Sequence, residues 1–196
     1  FKKEVDYATN LLMSETDPLG KATRYTYDAN GNQTSTVDFE GNTTITEYDQ
    51  TWNKPVKIIN ALGYITTMAY DDKGQLISIT NPENEATTFT YTLQGKLASV
   101  TGPLNHTTHF EYDNGGNLIK TTDPLKRSAE RRYDAANRLI EAINSRGRST
   151  KYTYDVLDRV TQLIDPMGNT TQYTYDEHNN LLTVTDPKGA VIETNA

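Results

Sequence analysis

The chain has 196 residues, of which 35% are apolar, and its 26 acidic and 19 basic residues give it a formal charge of −7. The two signs of charge are mixed along the chain and form no basic stripe, which argues against binding to a nucleic-acid backbone. The absence of cysteine excludes disulfides, thiolate metal sites and cysteine nucleophiles, and no apolar run reaches the roughly 18 residues of a membrane-spanning helix.

A tyrosine recurs along the chain at a nearly constant interval. It occurs at Tyr27, Tyr48, Tyr70, Tyr91, Tyr112, Tyr133, Tyr154 and Tyr175, always 21 residues apart except for one interval of 22. Aspartate follows it at Asp28, Asp49, Asp71, Asp113, Asp134, Asp155 and Asp176, whereas Thr92 follows Tyr91. A period this regular is the signature of a repeat array. We therefore expect a single array over residues 1–196, with about nine units and both ends cut within repeats, and with its first nearly complete unit beginning at Tyr7.

Each unit carries two turn signals. The first starts at the aspartate after the tyrosine, and the second lies about ten residues further on. The second signal includes Asp17-Pro18-Leu19-Gly20, Asp123-Pro124, Asp165-Pro166-Met167-Gly168 and Asp186-Pro187-Lys188-Gly189. Asp or Asn at the first position can bond the backbone two residues on, proline presets φ, and Gly or Asn at the fourth position accepts a left-handed conformation. This pattern predicts type I turns followed by a bulge residue, which close short hairpins.

The runs between the turns have the chemistry of β-strands. Residues 169–175 place Thr171, Tyr173 and Tyr175 on one face, and the alternate runs, such as 181–184, are more apolar. We predict an all-β chain with two strands per repeat and about 17 strands in all. An antiparallel meander of hairpins and a parallel solenoid both fit two turns per unit, and the hairpin turns favour the meander. Because open sheets rarely exceed ~10 strands without curling, we expect a curved or spiral sheet.

These motifs resemble a known family. Tyr-Asp-x-x-Gly-x-Leu, then Thr-Asp-Pro-x-Gly, then Thr-x-Tyr-x-Tyr-Asp is similar to the RHS/YD repeat, best seen at residues 112–118 with 122–124 and at 154–176. The resemblance covers nearly the whole chain and implies a wide antiparallel sheet wound into a hollow shell. In bacterial RHS and Tc-type toxin proteins such a shell encloses a C-terminal toxic domain, and in teneurin-like surface proteins a similar shell supports adhesion.

The resemblance implies a non-catalytic segment of a shell that encapsulates or scaffolds a toxin domain of the same polypeptide. Its partner would then be the remainder of that polypeptide, and its location would be secreted or on a bacterial cell surface. RHS cores typically end in an Asp-Pro-x-Gly-Leu segment whose aspartates cut the chain. Here the Asp165 and Asp186 motifs are followed by Asn169 and Ala190, so both are interpreted as hairpin turns.

The recurring polar residues of the repeat could form chemical sites, but each also has a structural role. The repeated aspartates could bind Ca²⁺, but the further oxygen ligands and the closing acid of a calcium loop are missing, which favours turn capping. Positions three apart on a strand point to opposite faces, so His106 and His109 do not predict a metal site. The sequence contains no nucleophile elbow or phosphate loop, and we predict no catalytic residue, no cofactor and no metal.

Two other functions remain open. The pairs Tyr25/Tyr27, Tyr152/Tyr154 and Tyr173/Tyr175 could form aromatic platforms for carbohydrate, which would make the array an extended adhesion or glycan-binding surface. Such pairs recur in register, as a structural ladder would. Unpaired strand edges could also join arrays into filaments by self-association.

Overall fold

The computed structural model describes residues 1–193, which form 19 strands and no helix, so none that could cross a membrane is found in that range. The chain divides into two compact units, 1–105 and 106–196. The first contains β1 (Lys2–Asp6), β2 (Leu11–Thr16), β3 (Ala22–Tyr27), β4 (Gln33–Val37), β5 (Thr43–Tyr48), β6 (Pro55–Ile59), β7 (Ile65–Tyr70), β8 (Leu76–Thr80), β9 (Ala86–Tyr91) and β10 (Leu97–Thr101). These strands pair in chain order, each antiparallel to the next.

The second unit repeats the same plan. It contains β11 (Thr107–Tyr112), β12 (Leu118–Thr122), β13 (Ser128–Tyr133), β14 (Leu139–Ile143), β15 (Ser149–Tyr154), β16 (Val160–Ile164), β17 (Thr170–Tyr175), β18 (Leu181–Thr185) and β19 (Val191–Glu193). All neighbouring pairs are antiparallel. The predicted antiparallel hairpin meander with two strands per repeat is confirmed, and the parallel solenoid is wrong.

The two kinds of turn have one geometry. We call the turns after the repeat tyrosines YD turns (28–31, 49–53, 71–74, 92–95, 113–116, 134–137, 155–158 and 176–179) and the others DP turns (17–20, 38–41, 60–63, 81–84, 102–105, 123–126, 144–147, 165–168 and 186–189). In the first YD turn the Gly31 N–H lies 3.1 Å from the Asp28 carbonyl oxygen, and Gly31 has a φ of 83°. The fourth residue is left-handed in DP turns as well, for example Gly168 with a φ of 86°. This is the predicted type I turn with a bulge residue.

The turn of the Tyr48 repeat is longer by one residue. The Asn53 N–H bonds the Asp49 carbonyl oxygen at 3.1 Å, so Asn53 takes the left-handed position, with a φ of 56°. The inserted residue brings the Trp52 ring against the next YD turn, where an added Cβ on Gly74 would lie 2.7 Å from the ring. The one interval of 22 residues between repeat tyrosines is therefore the mark of this longer turn.

Tyr7 is not a repeat tyrosine, which corrects the expected start of the first unit. The strand β1 ends at Asp6, and Tyr7 lies fully exposed in the turn that follows. The Asp6 carboxylate accepts a bond from the Ala8 N–H at 2.8 Å, as the aspartates of other turns do. The strands β1 and β2 thus form a hairpin of their own, and within residues 1–193 the strand count is 19 instead of about 17.

One face of each strand pair carries the repeat tyrosines, and we call it the tyrosine face. In β17 the side chains of Thr171, Tyr173 and Tyr175 are half-buried, whereas Gln172 and Thr174 are exposed on the other face. No apolar side chain within the described residues is buried, and the buried polar side chains there are Ser14 and Ser99, each 8% exposed. The two units are therefore held mainly by the backbone ladder and by polar side chains, and not by a packed core.

Candidate functional site

The hydroxyl group of the repeat tyrosine donates a hydrogen bond to a carbonyl oxygen 15 residues earlier. The Tyr154 hydroxyl lies 2.8 Å from the carbonyl oxygen of Leu139. The same bond, at 2.7–3.2 Å, joins Tyr27 to Leu12, Tyr48 to Gln33, Tyr70 to Pro55, Tyr91 to Leu76, Tyr133 to Leu118 and Tyr175 to Val160. Tyr112 occupies the equivalent position at the end of β11. The tyrosine is therefore a structural element of each repeat.

This bond lies where the backbone ladder between two hairpins has ended. The strands β14 and β15 pair from Ile143 opposite Ser149 to Glu141 opposite Lys151, next to their DP turn. Beyond those pairs, towards the YD turns, the Tyr154 hydroxyl reaches the start of β14. Each hydroxyl thus closes the gap between one hairpin and the preceding one, and it satisfies a carbonyl group there.

Burial favours the neutral form of the Tyr70 and Tyr154 phenols. It raises the pKa of Tyr154 above the ordinary value of 10.0, an effect that the neighbouring Tyr152 adds to and the Arg138 guanidinium opposes. Burial, and then the Asp49 carboxylate, raises the pKa of Tyr70 in the same way. The hydroxyl therefore keeps its proton at neutral pH and remains a donor.

The aspartate after the tyrosine organises the YD turn. In Asp28, Oδ1 accepts hydrogen bonds from the N–H groups of Asn30 and Asn32, both at 2.9 Å, and Oδ2 accepts one from the Asn32 side-chain amide at 2.9 Å. Asp113 and Asp176 bind Asn117 and Asn180 alike, and Asp134 and Asp155 bind Arg138 and Arg159. Asp49 and Asp71 accept backbone N–H bonds in their turns. These aspartates are turn caps.

Hydrogen bonding to the ionised carboxylates shifts their titration. The Asn32 side-chain amide lowers the pKa of Asp28, and the Asn180 side-chain amide lowers the pKa of Asp176. For Asp134 the backbone N–H of Arg138, followed by its guanidinium, has the same effect on the pKa. The carboxylates are therefore charged and bonded at neutral pH.

The residue after the left-handed position connects one YD turn to the next. Arg138 Nη1 lies 3.0 Å from the carbonyl oxygen of Asp155 and 2.8 Å from Asp158 Oδ1. One repeat later, Arg159 makes the equivalent contacts at 2.9 and 3.1 Å. In the first unit the same position donates from Asn32 to Asn53, from Lys54 to Gly74 and from Gln75 to Gly95. A polar ladder therefore runs along the YD turns within each unit.

The same arginines also contact the repeat tyrosines. The Arg159 guanidinium carbon lies 4.7 Å from the centre of the Tyr175 ring, and that of Arg138 lies 5.0 Å from the Tyr154 ring. At these distances the cation is attracted to the ring face. One arginine therefore joins its own aspartate, the next turn and the next tyrosine.

The predicted DP-turn residues lie in turns of the expected kind. Asp165 Oδ1 accepts bonds from the N–H groups of Met167 and Asn169 at 2.7 and 2.9 Å, and Pro166 and Gly168 occupy the second and fourth positions. Asp17-Pro18-Gly20, Asp123-Pro124 and Asp186-Pro187-Gly189 occupy the corresponding positions. The Asp165 and Asp186 motifs are therefore hairpin turns here. The third residue of a DP turn is often apolar and exposed, as Met167 is.

Within residues 1–193 no group of three or more His, Asp or Glu side chains could hold a metal ion. His109 lies in β11, His106 precedes that strand, and His178 lies in a YD turn. The Tyr152 and Tyr173 side chains lie on the tyrosine face, one repeat apart.

Sequence reasoning missed the tyrosine hydroxyl bond and the ladder between YD turns. A signal for the ladder exists, since a polar residue five positions after the tyrosine recurs at Asn32, Gln75, Lys96, Asn117, Arg138, Arg159 and Asn180. The carbonyl that accepts each tyrosine hydroxyl has no such signal, because it belongs to the backbone.

Within each unit, antiparallel hairpins recur every 21 or 22 residues and are joined to one another by tyrosine hydroxyl bonds, which defines a class of β-hairpin repeat proteins. The sequence profile described as RHS Repeat matches residues 6–43, 70–104, 91–128, 133–166 and 159–191, well over half of the chain. The chain belongs to the RHS-repeat family, and the resemblance inferred from its motifs is confirmed.

Solved structures share this fold. A crystal structure of TcdB2-TccC3-Cdc42 matches with a TM-score of 0.68 and 19% sequence identity over 90% of this chain. A crystal structure of TcdB2-TccC3 without hypervariable C-terminal region matches with a TM-score of 0.67 and 19% identity over 89% of this chain. The present chain spans 12% of the length of each of those chains. No curated protein matches the sequence.

Proposed function

We propose that this chain is a non-catalytic segment of an RHS shell wall that encloses or scaffolds another part of the same polypeptide, a toxin domain. The observation that carries the proposal is the tyrosine hydroxyl bond, which closes the gap between successive hairpins in each unit. Membership of the RHS-repeat family and the fold shared with TcdB2-TccC3 support it. The whole chain would form one array, curved as part of a hollow shell.

The proposed mechanism is mechanical. A protease must draw an extended strand out of its sheet before cleaving it. Here the strands are held by their neighbours, and tyrosine hydroxyls and the YD-turn ladder add further bonds between successive hairpins. The wall therefore resists local opening and shields what lies behind it. The formal charge of −7 keeps the exposed surface hydrated.

The proposed setting is a bacterial protein that is exported or displayed on the cell surface. The partner is the remainder of the same polypeptide, which contributes further repeats and the enclosed domain. Neither a cofactor nor a metal is required for this role.

Limited proteolysis of the full-length polypeptide tests the proposal. We expect the cargo segment to be cleaved slowly in the intact protein and rapidly when it is expressed alone. The double variant Tyr154→Phe/Tyr175→Phe removes two gap-closing hydroxyls and should expose the cargo to the protease. The matched control, Tyr152→Phe/Tyr173→Phe, removes hydroxyls of the same face that make no hydrogen bond within residues 1–193. Equal cleavage rates for enclosed and isolated cargo would refute the proposal.

An adhesion or glycan-binding surface is a second candidate. It is favoured by Tyr152 and Tyr173, which lie one repeat apart on the tyrosine face and whose hydroxyls are unbonded within the described part of the chain. Saturable binding to a glycan array, lost in Tyr152→Ala/Tyr173→Ala, would support this function. An array without hits would count against it.

Self-association through strand edges is the remaining prediction. It requires the sedimentation coefficient of the chain to rise with concentration as filaments grow. A monomer over the whole concentration range would rule it out.

A further inference from the structure

Arg131 occupies a position on the tyrosine face that other repeats fill with an aromatic ring. The corresponding residues of neighbouring repeats are Phe110, Tyr152 and Tyr173, each two residues before the repeat tyrosine. Arg131 Nη1 is buried, and it finds no hydrogen-bond partner within residues 1–193. A buried guanidinium nitrogen without a partner is unfavourable, so this donor points to a group that is absent from the described chain.

The strands beside Arg131 leave room for such a group. Across the sheet Arg131 stands opposite Ala142, which in turn stands opposite Thr150. In the next repeat the position equivalent to Ala142 is occupied by Leu163, which has a larger side chain. A cavity of about 260 Å³ lies at the alanine, lined among others by Ala129, Arg131, Ala142, Arg148, Thr150 and Pro166. The smaller residue has created a notch in the tyrosine face.

Arg148 supplies a second cation to the wall of this notch. Its turn begins with Asn144, whose Oδ1 accepts the Arg148 backbone N–H at 3.1 Å and carries no charge. In the preceding DP turn, by contrast, the Arg127 guanidinium is neutralised by its own Asp123 at 2.6 Å. Within residues 1–193 the Arg148 guanidinium has no carboxylate partner, so its charge is available to the notch.

Glu130 is the acidic residue of the cavity wall, and it does not neutralise the notch. It is adjacent to Arg131 in β13, so its side chain points to the opposite face of the sheet. It is accordingly exposed, whereas Arg131 is half-buried. No ion pair joins Glu130 to Arg131 or Arg148 in the described part of the chain.

We propose that Arg131 and Arg148 form a binding site for a single carboxylate on the tyrosine face of the second unit. A guanidinium is planar and matches a carboxylate with two parallel hydrogen bonds, and burial strengthens those bonds. At about 260 Å³ the notch is smaller than the pockets that hold drug-sized ligands, so it fits one acidic side chain or a small free acid. The site is built by β13, β14 and β15 together with Arg148 and Pro166 of two DP-turn regions, and it does not depend on the proposed enclosure of a toxin domain.

Nuclear magnetic resonance of the arginine Nε–Hε groups tests this site in the full chain. Three probes are titrated at constant ionic strength: sodium glutarate, a Gly/Ser peptide with one internal glutamate, and inorganic phosphate. We expect saturable shifts of the Arg131 and Arg148 signals with glutarate or with the peptide. Tighter binding of the peptide would identify a polypeptide side chain as the ligand, and equal binding would identify the free acid.

Substitutions separate the site from general attraction to positive charge. Arg131→Tyr, which restores the residue of the next repeat, and Arg148→Met should each weaken glutarate binding by about tenfold or more. Arg146→Met removes the same charge from the same turn outside the notch and should leave binding unchanged. Because Arg131→Tyr conforms to the repeat, urea unfolding should show that it folds. Shifts that never saturate, saturation with phosphate alone, or equal loss in Arg146→Met would overturn the proposal.

Discussion

The hydroxyl oxygen of Tyr154 lies 2.8 Å from the carbonyl oxygen of Leu139, 15 residues earlier, at the end of a hairpin pair where the backbone ladder has ended. The bond joins a side chain of one repeat to the backbone of the preceding one. It therefore contributes to the free energy of the interface between neighbouring repeats, which stabilises an array.

Removing this one hydroxyl should loosen that interface. We expect Tyr154→Phe to destabilise the chain by about 1–2 kcal/mol, because the half-buried Leu139 carbonyl loses its partner. Urea unfolding followed by circular dichroism measures the loss. Tyr152→Phe, on the same strand and face, should cost less than about 0.5 kcal/mol, because its hydroxyl makes no hydrogen bond within residues 1–193. Equal effects of the two substitutions would show that the hydroxyl bond contributes nothing.

Gly74 is constrained by both conformation and contact. Its φ of 75° disfavours any side chain, and an added Cβ would lie 2.7 Å from the Trp52 ring. Gly63→Ala is the matched control, because Gly63 has a φ of 80° and open space around it. We expect Gly63→Ala to cost about 1–2 kcal/mol and Gly74→Ala to cost clearly more.

A double-mutant cycle isolates the steric part of this difference. In a Trp52→Ala background the extra cost of Gly74→Ala should disappear, since the ring is no longer there. If Gly74→Ala still costs more than Gly63→Ala in the absence of Trp52, the extra destabilisation comes from the backbone conformation and not from the contact with the ring.

Acid should destabilise the array through its turn aspartates. Hydrogen bonds within the turns lower the pKa of Asp28, Asp38, Asp113, Asp123, Asp134, Asp165 and Asp176 below the ordinary value of 3.8. Their stabilising contribution is therefore present above the unfolded pKa of these groups and is lost as pH falls through their folded pKa. We expect the thermal midpoint to fall between about pH 5 and pH 2.

Carboxyl ¹³C resonances of the folded chain give each pKa directly. Asp165→Asn should reduce the acid sensitivity, because Asn144 already fills the same position in the preceding DP turn with its uncharged Oδ1 at 2.9 Å from the Arg146 N–H. A folded pKa of Asp165 equal to that of an unfolded peptide would contradict the prediction.

Arg159 should contribute more to the stability of the fold than an arginine whose only partner lies in its own turn. Its side chain is 21% exposed and reaches the carbonyl oxygen of Asp176 in the next turn. We expect Arg159→Met to cost about 1–2 kcal/mol and to speed amide exchange in the 176–179 turn. Arg127→Met, which removes a 60% exposed side chain paired with Asp123, should cost less than about 0.5 kcal/mol. Unchanged exchange in the 176–179 turn would mean that the ladder does not couple the turns.

The fold could be predicted because its determinants are local. A tyrosine that ends a strand, an aspartate that caps a turn and a residue that accepts positive φ all act within five positions of one another. Tyr7 shows the limit of this reasoning, because it lies 20 residues before Tyr27, one short of the repeat, and Asp6 already ends the strand. The inserted residue before Asn53 was visible as a single interval of 22.

The candidate site could be predicted only in part, because its bonds depend on the distance between hairpins. The sequence identifies Tyr154 as a repeat residue. Which carbonyl group accepts its hydroxyl depends on where the pairing of β14 with β15 ends. Arg138 and Arg159 appear in the sequence as ordinary surface charges, and their second contacts become visible only when two turns are placed side by side. The sequence likewise does not show that Arg131 Nη1 lacks a hydrogen-bond partner within residues 1–193, because neighbouring side chains are what bury this atom.

The pairing of each strand with its neighbours in the chain has a kinetic consequence. Every loop that must close before two strands meet is only a few residues long, so the entropy lost in closing it is small. Folding can begin at any hairpin and extend by one hairpin at a time, which gives low contact order and favours rapid folding. Such a chain can be assembled progressively as it emerges from the ribosome, with each completed hairpin serving as the template for the next.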